Sequence, residues 1–197
     1  MKIFKFTALA MAAVLALTPA VGCKHDIKES SSNTAKYADH PEVGEVKVTA
    51  NVNQEAEANE TGFTLNKVID AGAQTENGEH YYYLDVTIRN TTDTAYELTR
   101  LNNFYILFDD GQELSSAVRA ELYAINNFTD KYCKSPFTIP ANGTFTGVVS
   151  GFVLAPDQTN FTVGFFPTRE NTDDKKNVIL VPVTAADIVP ITSELKK

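Results

Sequence analysis

Apolar and polar residues alternate from Tyr82 to Asn90, and this stretch organises the prediction for the rest of the chain. The apolar positions are Tyr82, Leu84, Val86 and Ile88, and the positions between them are Tyr83, Asp85, Thr87 and Arg89. Because successive side chains of a β-strand point to opposite faces, the pattern is typical of a strand with one buried face. Such a strand needs a second apolar layer over one side only, which a sandwich of two sheets supplies.

Further apolar runs, separated by turn residues, predict the other strands of this sandwich. The clearest are 62–69, 105–108, 148–154, 161–166 and 178–183, and weaker ones lie near Val46, Tyr96 and Gln112. Their number and spacing predict an all-β fold, an immunoglobulin-like antiparallel β-sandwich of about seven strands. The sequence contains no tryptophan, so the buried tryptophan that is typical of antibody domains is missing from this core.

Two turns, one bulge and one short helix are predicted between and within the strands. The Asp-Asp-Gly segment 109–111 predicts a hairpin, and 139–143 predicts a second turn, because Asn-Gly tolerates left-handed backbone geometry. The glycines at 147 and 151 favour a bend or a bulge in the strand that contains them. A short helix is predicted because the apolar residues Val118, Leu122 and Ile125 recur at helical spacing, and Ser115 or Ser116 is its expected N-cap.

The N-terminus has the composition of an export signal. Lys2 and Lys5 precede an apolar run at 6–17, and small residues then lead to Cys23. A membrane-spanning helix needs about 20 apolar residues, and Pro19 interrupts the run before that length is reached. We therefore predict a signal peptide at 1–22, a flexible tether at 23–60 with a possible edge strand at 46–52, the sandwich at 61–190 and a tail at 191–197.

The residues Ala20-Val21-Gly22 immediately before Cys23 resemble the lipobox of bacterial lipoproteins. The resemblance implies that Cys23 is acylated, with palmitate as an expected chain, and becomes the first residue of the mature protein. Burial of an acyl chain in the lipid contributes about 0.8 kcal/mol of binding free energy per methylene. Such a group would therefore anchor the protein at the extracytoplasmic face of the cell membrane. The alternative is a secreted protein without lipid, cut near Ala20 or Gly22.

Charge and cysteine usage restrict the expected partners. The chain has 17 basic and 25 acidic residues and a formal net charge of −8, and removing Lys2 and Lys5 with the signal leaves −10. Such a surface repels phosphate backbones and anionic lipid headgroups, so nucleic acid is not an expected partner. If Cys23 is acylated, Cys133 has no partner for a disulfide, and without the lipid a Cys23–Cys133 bridge is the alternative.

Four segments together resemble a known family. They are the strand and turn 83–92, the Phe-Asp-Asp-Gly segment 108–111, the Ile-Pro-Ala-Asn-Gly segment 139–143, and the Phe-Val-Leu segment 152–154. The succession is similar to the immunoglobulin-like domain of unknown function that occurs in exported lipoproteins of Gram-positive bacteria. The resemblance covers about residues 62–183 and implies a surface-anchored sandwich, and it brings no catalytic residue with it.

Residues with catalytic or metal-binding chemistry are few in the predicted domain. His80 is its one histidine, and it is expected to be a loop residue rather than a general base. Calcium needs only oxygen ligands, so the loop pairs Asp109 with Asp110 and Asp173 with Asp174 are weak candidates, although neither has the spacing of a calcium-binding helix–loop–helix. We therefore expect no cofactor, and solvated turns are the plainer interpretation of both pairs.

A binding function is the leading hypothesis. Tyr81 and Tyr83 would point away from the core if Tyr82 points inward, and exposed tyrosines on a sheet can bind a surface protein, a peptide or a glycan. The alternative is that a helix at 117–125 covers them. We expect a non-enzymatic binding or adhesion module, with a structural accessory domain of an envelope complex, or a hydrolase with an unrecognised carboxylate pair, as alternatives.

Overall fold

The computed structural model describes residues 46–168 and 175–197. In this part of the chain lie twelve strands, two α-helices and one 3₁₀ turn at Ala185–Asp187. The helices are α1 (Arg100–Asn103) and α2 (Val118–Asn127). The strands are β1 (Val46–Thr49), β2 (Ala56–Ala58), β3 (Thr61–Ala73), β4 (His80–Asn90), β5 (Tyr96–Leu98), β6 (Phe104–Leu107), β7 (Glu113–Ser115), β8 (Phe137–Ile139), β9 (Thr144–Leu154), β10 (Phe161–Phe165), β11 (Asn177–Val183) and β12 (Ile188–Pro190).

The strands form two main sheets that face each other, and this confirms the predicted all-β sandwich. Sheet A has the order β1-β11-β10-β6-β7, and sheet B has the order β12-β3-β4-β9 with β2 also paired to β3. A small third sheet pairs β5 with β8. Most neighbouring strands are antiparallel, but β1 runs parallel to β11 and β12 runs parallel to β3. The number of strands exceeds the seven predicted: β5 and β7 lie near the weak signals at Tyr96 and Gln112, and the three-residue strands β2, β8 and β12 were not predicted.

The main core lies between sheets A and B. Phe63 on β3 stacks on Phe165 of β10 with 4.4 Å between the ring centroids, so aromatic contacts join the two layers directly. On β4 the apolar positions identified by alternation all belong to this core and are no more than 2% exposed: Tyr82, Leu84, Val86 and Ile88. The alternation along β4 therefore predicted the inward face correctly.

A second core lies on the outer face of sheet B, where α2 packs. Its buried residues come from β3, β4, β9, α2 and the segments that follow α2 and β12, and they include Tyr83, Ala120, Phe128 and Leu195. Both faces of β4 are therefore buried, the inner one by sheet A and part of the outer one by α2. The alternation persists because Asp85, Thr87 and Arg89 on the outer face remain partly exposed.

The predicted turns and bulge are found. β6 and β7 form an antiparallel hairpin in which Gly111 has φ of 84°, and Asn142 in the turn before β9 has φ of 45°. The pairing of β4 with β9 shifts register between Tyr82 and Leu84, opposite Ser150 and Gly151. Ser150 has φ of 53°, so the extra residue of this bulge is the serine beside the glycine that we expected.

The ordered region extends beyond the predicted boundaries at both ends. Where we predicted a tether up to residue 60, β1 is an edge strand of sheet A, as the segment 46–52 indicated, and Ala50, Ala56 and Ala58 are at least 92% buried. Where we predicted an exposed tail from residue 191, Leu195 is only 5% exposed. These segments are polar apart from small or single apolar residues, and strands distant in the sequence hold them in place.

Candidate functional site

The predicted tyrosine surface is not exposed, which corrects that expectation. Tyr81 is 7% exposed and Tyr83 is fully buried, because α2 covers the outer face of β4. The Tyr83 hydroxyl donates a 2.7 Å hydrogen bond to the Ala120 carbonyl, and its ring packs edge-on against Phe128 at 4.7 Å. Burial raises the pKa of Tyr83 far above its ordinary value, so the hydroxyl stays protonated and keeps donating to the helix. The alternative that a helix covers both tyrosines is therefore correct.

The backbone of α2 lies close to that of β9, and this contact holds the helix on sheet B. Ala120 and Ala124 are fully buried, and a Cβ atom placed on Gly151 would lie 2.8 Å from the Cβ of Ala120. The Ala117 amide, directly before the helix, donates a 2.7 Å hydrogen bond to the Gly151 carbonyl. Ala117 is the N-cap residue, rather than the Ser115 or Ser116 that we predicted. Small residues on both sides therefore allow the helix to lie directly against the strand.

The large aliphatic residues of α2 point away from the sheet. Val118, Leu122 and Ile125 are 58%, 55% and 39% exposed and form what we call the α2 outer face. Their spacing of four and three residues is the one that predicted the helix, and it places them on one side of it. Apolar side chains at this density on a water-exposed helix face are typical of an interaction surface.

A buried ion pair connects α2 to the short helix α1. The Arg100 Nε lies 2.5 Å from a carboxylate oxygen of Glu121, and both side chains are less than 15% exposed. The pair is further hydrogen-bonded, since Arg100 donates to Ser116 and Glu121 accepts from the Ser135 amide. The residue after Arg100, Leu101, is 54% exposed. The pair therefore fixes the position of α1, and with it another exposed aliphatic residue.

Lysines surround the C-terminal end of α2. The Lys197 ammonium donates a 2.6 Å hydrogen bond to the Ile125 carbonyl, which satisfies one of the open carbonyls of the last turn. Lys134 and Lys197 line a surface cavity of about 390 Å³ together with Ile125, Phe128 and Asp130. Lys196 is next to this site, because its backbone bridges to Phe128. We call Lys134, Lys196 and Lys197 the lysine cluster.

Sequence reasoning did not identify this surface. The spacing of Val118, Leu122 and Ile125 predicted a helix but not which of its sides is exposed, and the lysine cluster comes together only in the folded structure. The alanines at 117, 120 and 124 were the signal in the sequence for the buried side of α2. Small residues at helical spacing form the side of a helix that can approach a sheet closely. With the alanines facing the sheet, the leucine and its aliphatic neighbours must face outward.

The predicted acidic candidates do not form a metal site in the described residues. Asp109 and Asp110 are exposed in the β6–β7 hairpin, where Asp110 accepts a 2.9 Å hydrogen bond from the Gln112 amide. Asp173 and Asp174 lie outside the described residues. Over 46–168 and 175–197, His, Cys, Asp and Glu side chains do not come together in groups of three that could hold a metal ion.

His80 and Cys133 have structural surroundings. The His80 Nδ1 lies 2.9 Å from both carboxylate oxygens of Asp70, which also accepts a hydrogen bond from the Gly72 amide. Because Ala73 pairs with His80 where β3 leads into β4, these contacts close the hairpin between the two strands. Cys133 is a free, partly buried thiol, and burial raises its pKa, which lowers its thiolate fraction and its reactivity.

A small cleft lies beside the C-terminal segment on sheet B. It encloses about 100 Å³ and contains two ion pairs, Lys67 with Asp85 at 3.4 Å and Lys131 with Glu194 at 3.0 Å. The hydrogen bond from Lys131 lowers the pKa of Glu194, so this acid remains ionised. The first pair joins β3 to β4, and the second joins the segment after α2 to the segment after β12. The cleft has room for only a few water molecules.

The predicted signal peptide at 1–22, the lipidation residue Cys23 and the tether up to residue 45 lie outside the described residues. Within the described part of the chain, none of the helices has both the length and the apolar character needed to cross a bilayer. The attachment of the protein to a membrane through Cys23 therefore stays a prediction.

Comparison with known proteins gives one family match and several distant structures. The family described as "Domain of unknown function (DUF4352)" matches residues 50–176. A search of the curated proteins found no match. The similar solved structures include the yjhA protein from Bacillus subtilis, which is 14% identical with a TM-score of 0.48 over 69% of this chain and 98% of its own.

Two further solved structures are similarly distant. A "putative lipoprotein" (ycdA) from Bacillus subtilis subsp. subtilis str. 168 is 12% identical over 68% of this chain and 39% of its own, with a TM-score of 0.47. An uncharacterized β-sandwich protein from Clostridium difficile 630 is 15% identical over 69% of this chain and 93% of its own, with a TM-score of 0.41. Since these TM-scores are below 0.5, the fold assignment depends on the sheets described above.

Proposed function

Because the chain belongs to the family of the domain of unknown function DUF4352, whose description assigns no reaction, we propose that it is a non-catalytic binding module. In this proposal a lipid on Cys23 holds the sandwich at the extracytoplasmic face of the cell membrane, as in the exported lipoproteins of Gram-positive bacteria that the sequence resembles. The sandwich is the rigid support, and the α2 outer face is the surface that binds.

One observation carries the proposal: α2 exposes its large aliphatic residues and buries its alanines. Val118, Leu122 and Ile125 would be the natural side to bury if α2 only covered the sheet. The chain instead buries Ala120 and Ala124, which contribute little apolar area, and leaves the larger side chains in water. The hydrogen bonds to Ala117 and Ala120 hold the helix in this orientation. An apolar surface on a rigid support is what a binding module needs.

The test measures retention on isolated cell envelopes. Protein with Cys23→Ser is added to the envelopes, so that retention does not depend on the acyl anchor, and the sedimented fraction is measured with and without Leu122→Ser and Ile125→Ser. We expect the two serine substitutions to reduce the retained fraction several-fold, because they remove apolar area from the α2 outer face. Both positions are exposed, so the fold should not change.

The matched control is Thr138→Ser in the same Cys23→Ser protein. Thr138 is an exposed residue of β8 and is not part of the α2 outer face. The control should be retained as well as the parent protein. Equal retention of the parent and of the Leu122→Ser, Ile125→Ser protein would contradict the proposal.

A further inference from the structure

We propose that the α2 outer face docks on the membrane surface itself, with its aliphatic side chains among the lipids and the lysine cluster on anionic headgroups. The inference names the partner of the surface described above and therefore rests on the proposed function. The helix presents its three aliphatic side chains over two turns on one side. This is the arrangement of helices that lie in the plane of a lipid interface, with an apolar side in the lipid and lysines at the boundary.

The size of the surface favours a lipid partner over a protein. A stable interface between proteins buries about 800 Å² on each side and involves 20 to 30 residues per partner. The α2 outer face has three aliphatic residues, with Leu101 of α1 as a fourth exposed one. A second copy of the chain would bury too little area on such a surface. Insertion of a few aliphatic side chains into a lipid interface requires no comparable minimum of buried area, because lipids rearrange around each side chain.

Local charge also favours an anionic membrane surface, although the chain as a whole is acidic. Near α2, Arg100, Arg119 and Lys131 are neutralised by Glu121, Glu79 and Glu194. Among the described residues, no carboxylate forms an ion pair with a member of the lysine cluster, and Asp130 is the one acid in the cavity that Lys134 and Lys197 line. Exposed charges farther away than about 10 Å are largely screened at physiological salt. The headgroups would therefore meet the lysine cluster rather than the net negative charge.

Because of the predicted lipid anchor, a surface with low affinity for lipid is sufficient for docking. Only 22 residues separate Cys23 from Val46, the first residue of β1. Fully extended, they reach at most about 80 Å, so a lipid on Cys23 keeps the sandwich within that distance of the bilayer. Confinement on this scale corresponds to an effective concentration on the order of millimolar. Docking then needs only the modest affinity that a few aliphatic side chains and lysines supply.

The experiment places a fluorescent reporter on the α2 outer face. The natural chain contains no tryptophan, so Leu122→Trp introduces the only indole. The full-length protein is reconstituted with vesicles of phosphatidylglycerol and phosphatidylcholine in equal parts, with or without brominated acyl chains. We expect a blue shift of the emission and strong quenching by the brominated lipids. The matched control is Thr138→Trp on β8, whose emission should stay that of water-exposed indole.

The lysine cluster is tested in the same system. In the Leu122→Trp protein, Lys134→Gln with Lys197→Gln should reduce the fraction of docked protein about tenfold, since each lysine near an anionic surface contributes to binding. Vesicles of pure phosphatidylcholine should give a similar reduction. Equal quenching with and without the lysines, or with and without phosphatidylglycerol, would overturn the assignment of anionic headgroups as the partner.

Three other results would overturn docking on lipid. Emission at position 122 that vesicles do not change would show that the surface stays in water. A blue shift before vesicles are added would show that another segment of the chain, or a second copy detected by size-exclusion chromatography, covers the helix. Envelopes that retain the protein through Leu122 and Ile125, while vesicles cause no quenching, would identify an envelope protein as partner, and the proposed function would stand. Co-flotation of the protein with the vesicles reports the anchor separately.

Discussion

Glu113 on β7 carries a carboxylate oxygen that is shielded from water and has no hydrogen-bond partner in the described part of the chain. It lies opposite Leu107 in the β6–β7 hairpin, so its neighbour across the strands is apolar. Because burial without a partner disfavours the charged form, the pKa of Glu113 is raised to about 7. A carboxylic acid with this pKa takes up its proton near neutral pH when the protein folds.

The pH dependence of stability follows from the direction of this shift. The folded-state pKa of Glu113, about 7, lies above the ordinary value of 4.5, so folding favours the protonated acid. The contribution to stability is complete below pH 4.5 and is lost as the pH rises to about 7. We expect Glu113→Gln to match the natural protein below pH 4.5 and to exceed its free energy of unfolding by about 3 kcal/mol above pH 7.

Urea unfolding at the two pH values measures this difference. Glu97→Gln on β5 is the matched control, because Glu97 is exposed and its substitution should have the same small effect at both pH values. A difference between Glu113→Gln and the natural protein that does not change with pH would show that the Glu113 carboxylate is ionised at no cost in the folded protein.

Single residues also show what the sequence could not reveal. Alternation along β4 predicted the side on which Tyr82 lies, and this was correct. It could not show that Tyr83, on the other side, is fully buried as well. The layer over Tyr83 comes from Ala120, Phe128 and other residues distant in the sequence. A local pattern defines two faces of a strand, but only the tertiary contacts decide whether the second face meets water or another layer.

At the level of the element, α2 contains two helical patterns, one of alanines and one of larger aliphatic residues. Both have helical spacing, so the sequence predicted the helix but not which side packs on the sheet. The contact with Gly151 decides the orientation, because only a small side chain fits where the helix and β9 approach this closely. The candidate site therefore could not be derived from hydrophobicity, which would have placed Leu122 inside.

The two sides of α2 should respond differently to substitution. Ala120→Leu would introduce a large side chain where Ala120 is fully buried against Tyr83 and Gly151, and we expect it to lower the free energy of unfolding by about 2 kcal/mol. Leu122→Ser, on the exposed side, should change it by about 0.5 kcal/mol or less. Thermal unfolding of both variants provides the measurement. A larger loss for Leu122→Ser than for Ala120→Leu would mean that the helix packs with the opposite side inward.

Long strands and tight turns were the predictable elements, for a physical reason. The Asp-Gly and Asn-Gly turns depend on the backbone preferences of two adjacent residues, and the long strands repeat their pattern over many positions. The three-residue strand β8 has neither property and was not predicted. It forms because β5, which is distant in the sequence, supplies its backbone partner. A partner of this kind is a tertiary effect that a short window of sequence cannot contain.

For the whole molecule, attachment to the membrane is the prediction with the clearest outcome. We expect the natural protein to enter the detergent phase in phase-separation experiments and Cys23→Ser to remain in the aqueous phase, because acyl chains on Cys23 supply the apolar anchor. Cys133→Ser is the matched control, since it removes the other cysteine of the chain and should not alter partitioning. Unchanged partitioning of Cys23→Ser would contradict acylation at this residue.

The parallel pairings have a consequence for the export that the predicted signal peptide at 1–22 would direct. β1 pairs with β11, and β3 pairs with β12, so strands near the start of the sandwich are completed by strands that follow more than a hundred residues later. Topologies dominated by such distant pairings form slowly. While the last strands are still being synthesised, the earlier ones lack their neighbours and cannot close the sheets. If the predicted signal peptide directs export, the polypeptide would remain unfolded long enough to pass through a narrow translocation pore and would fold on the far side.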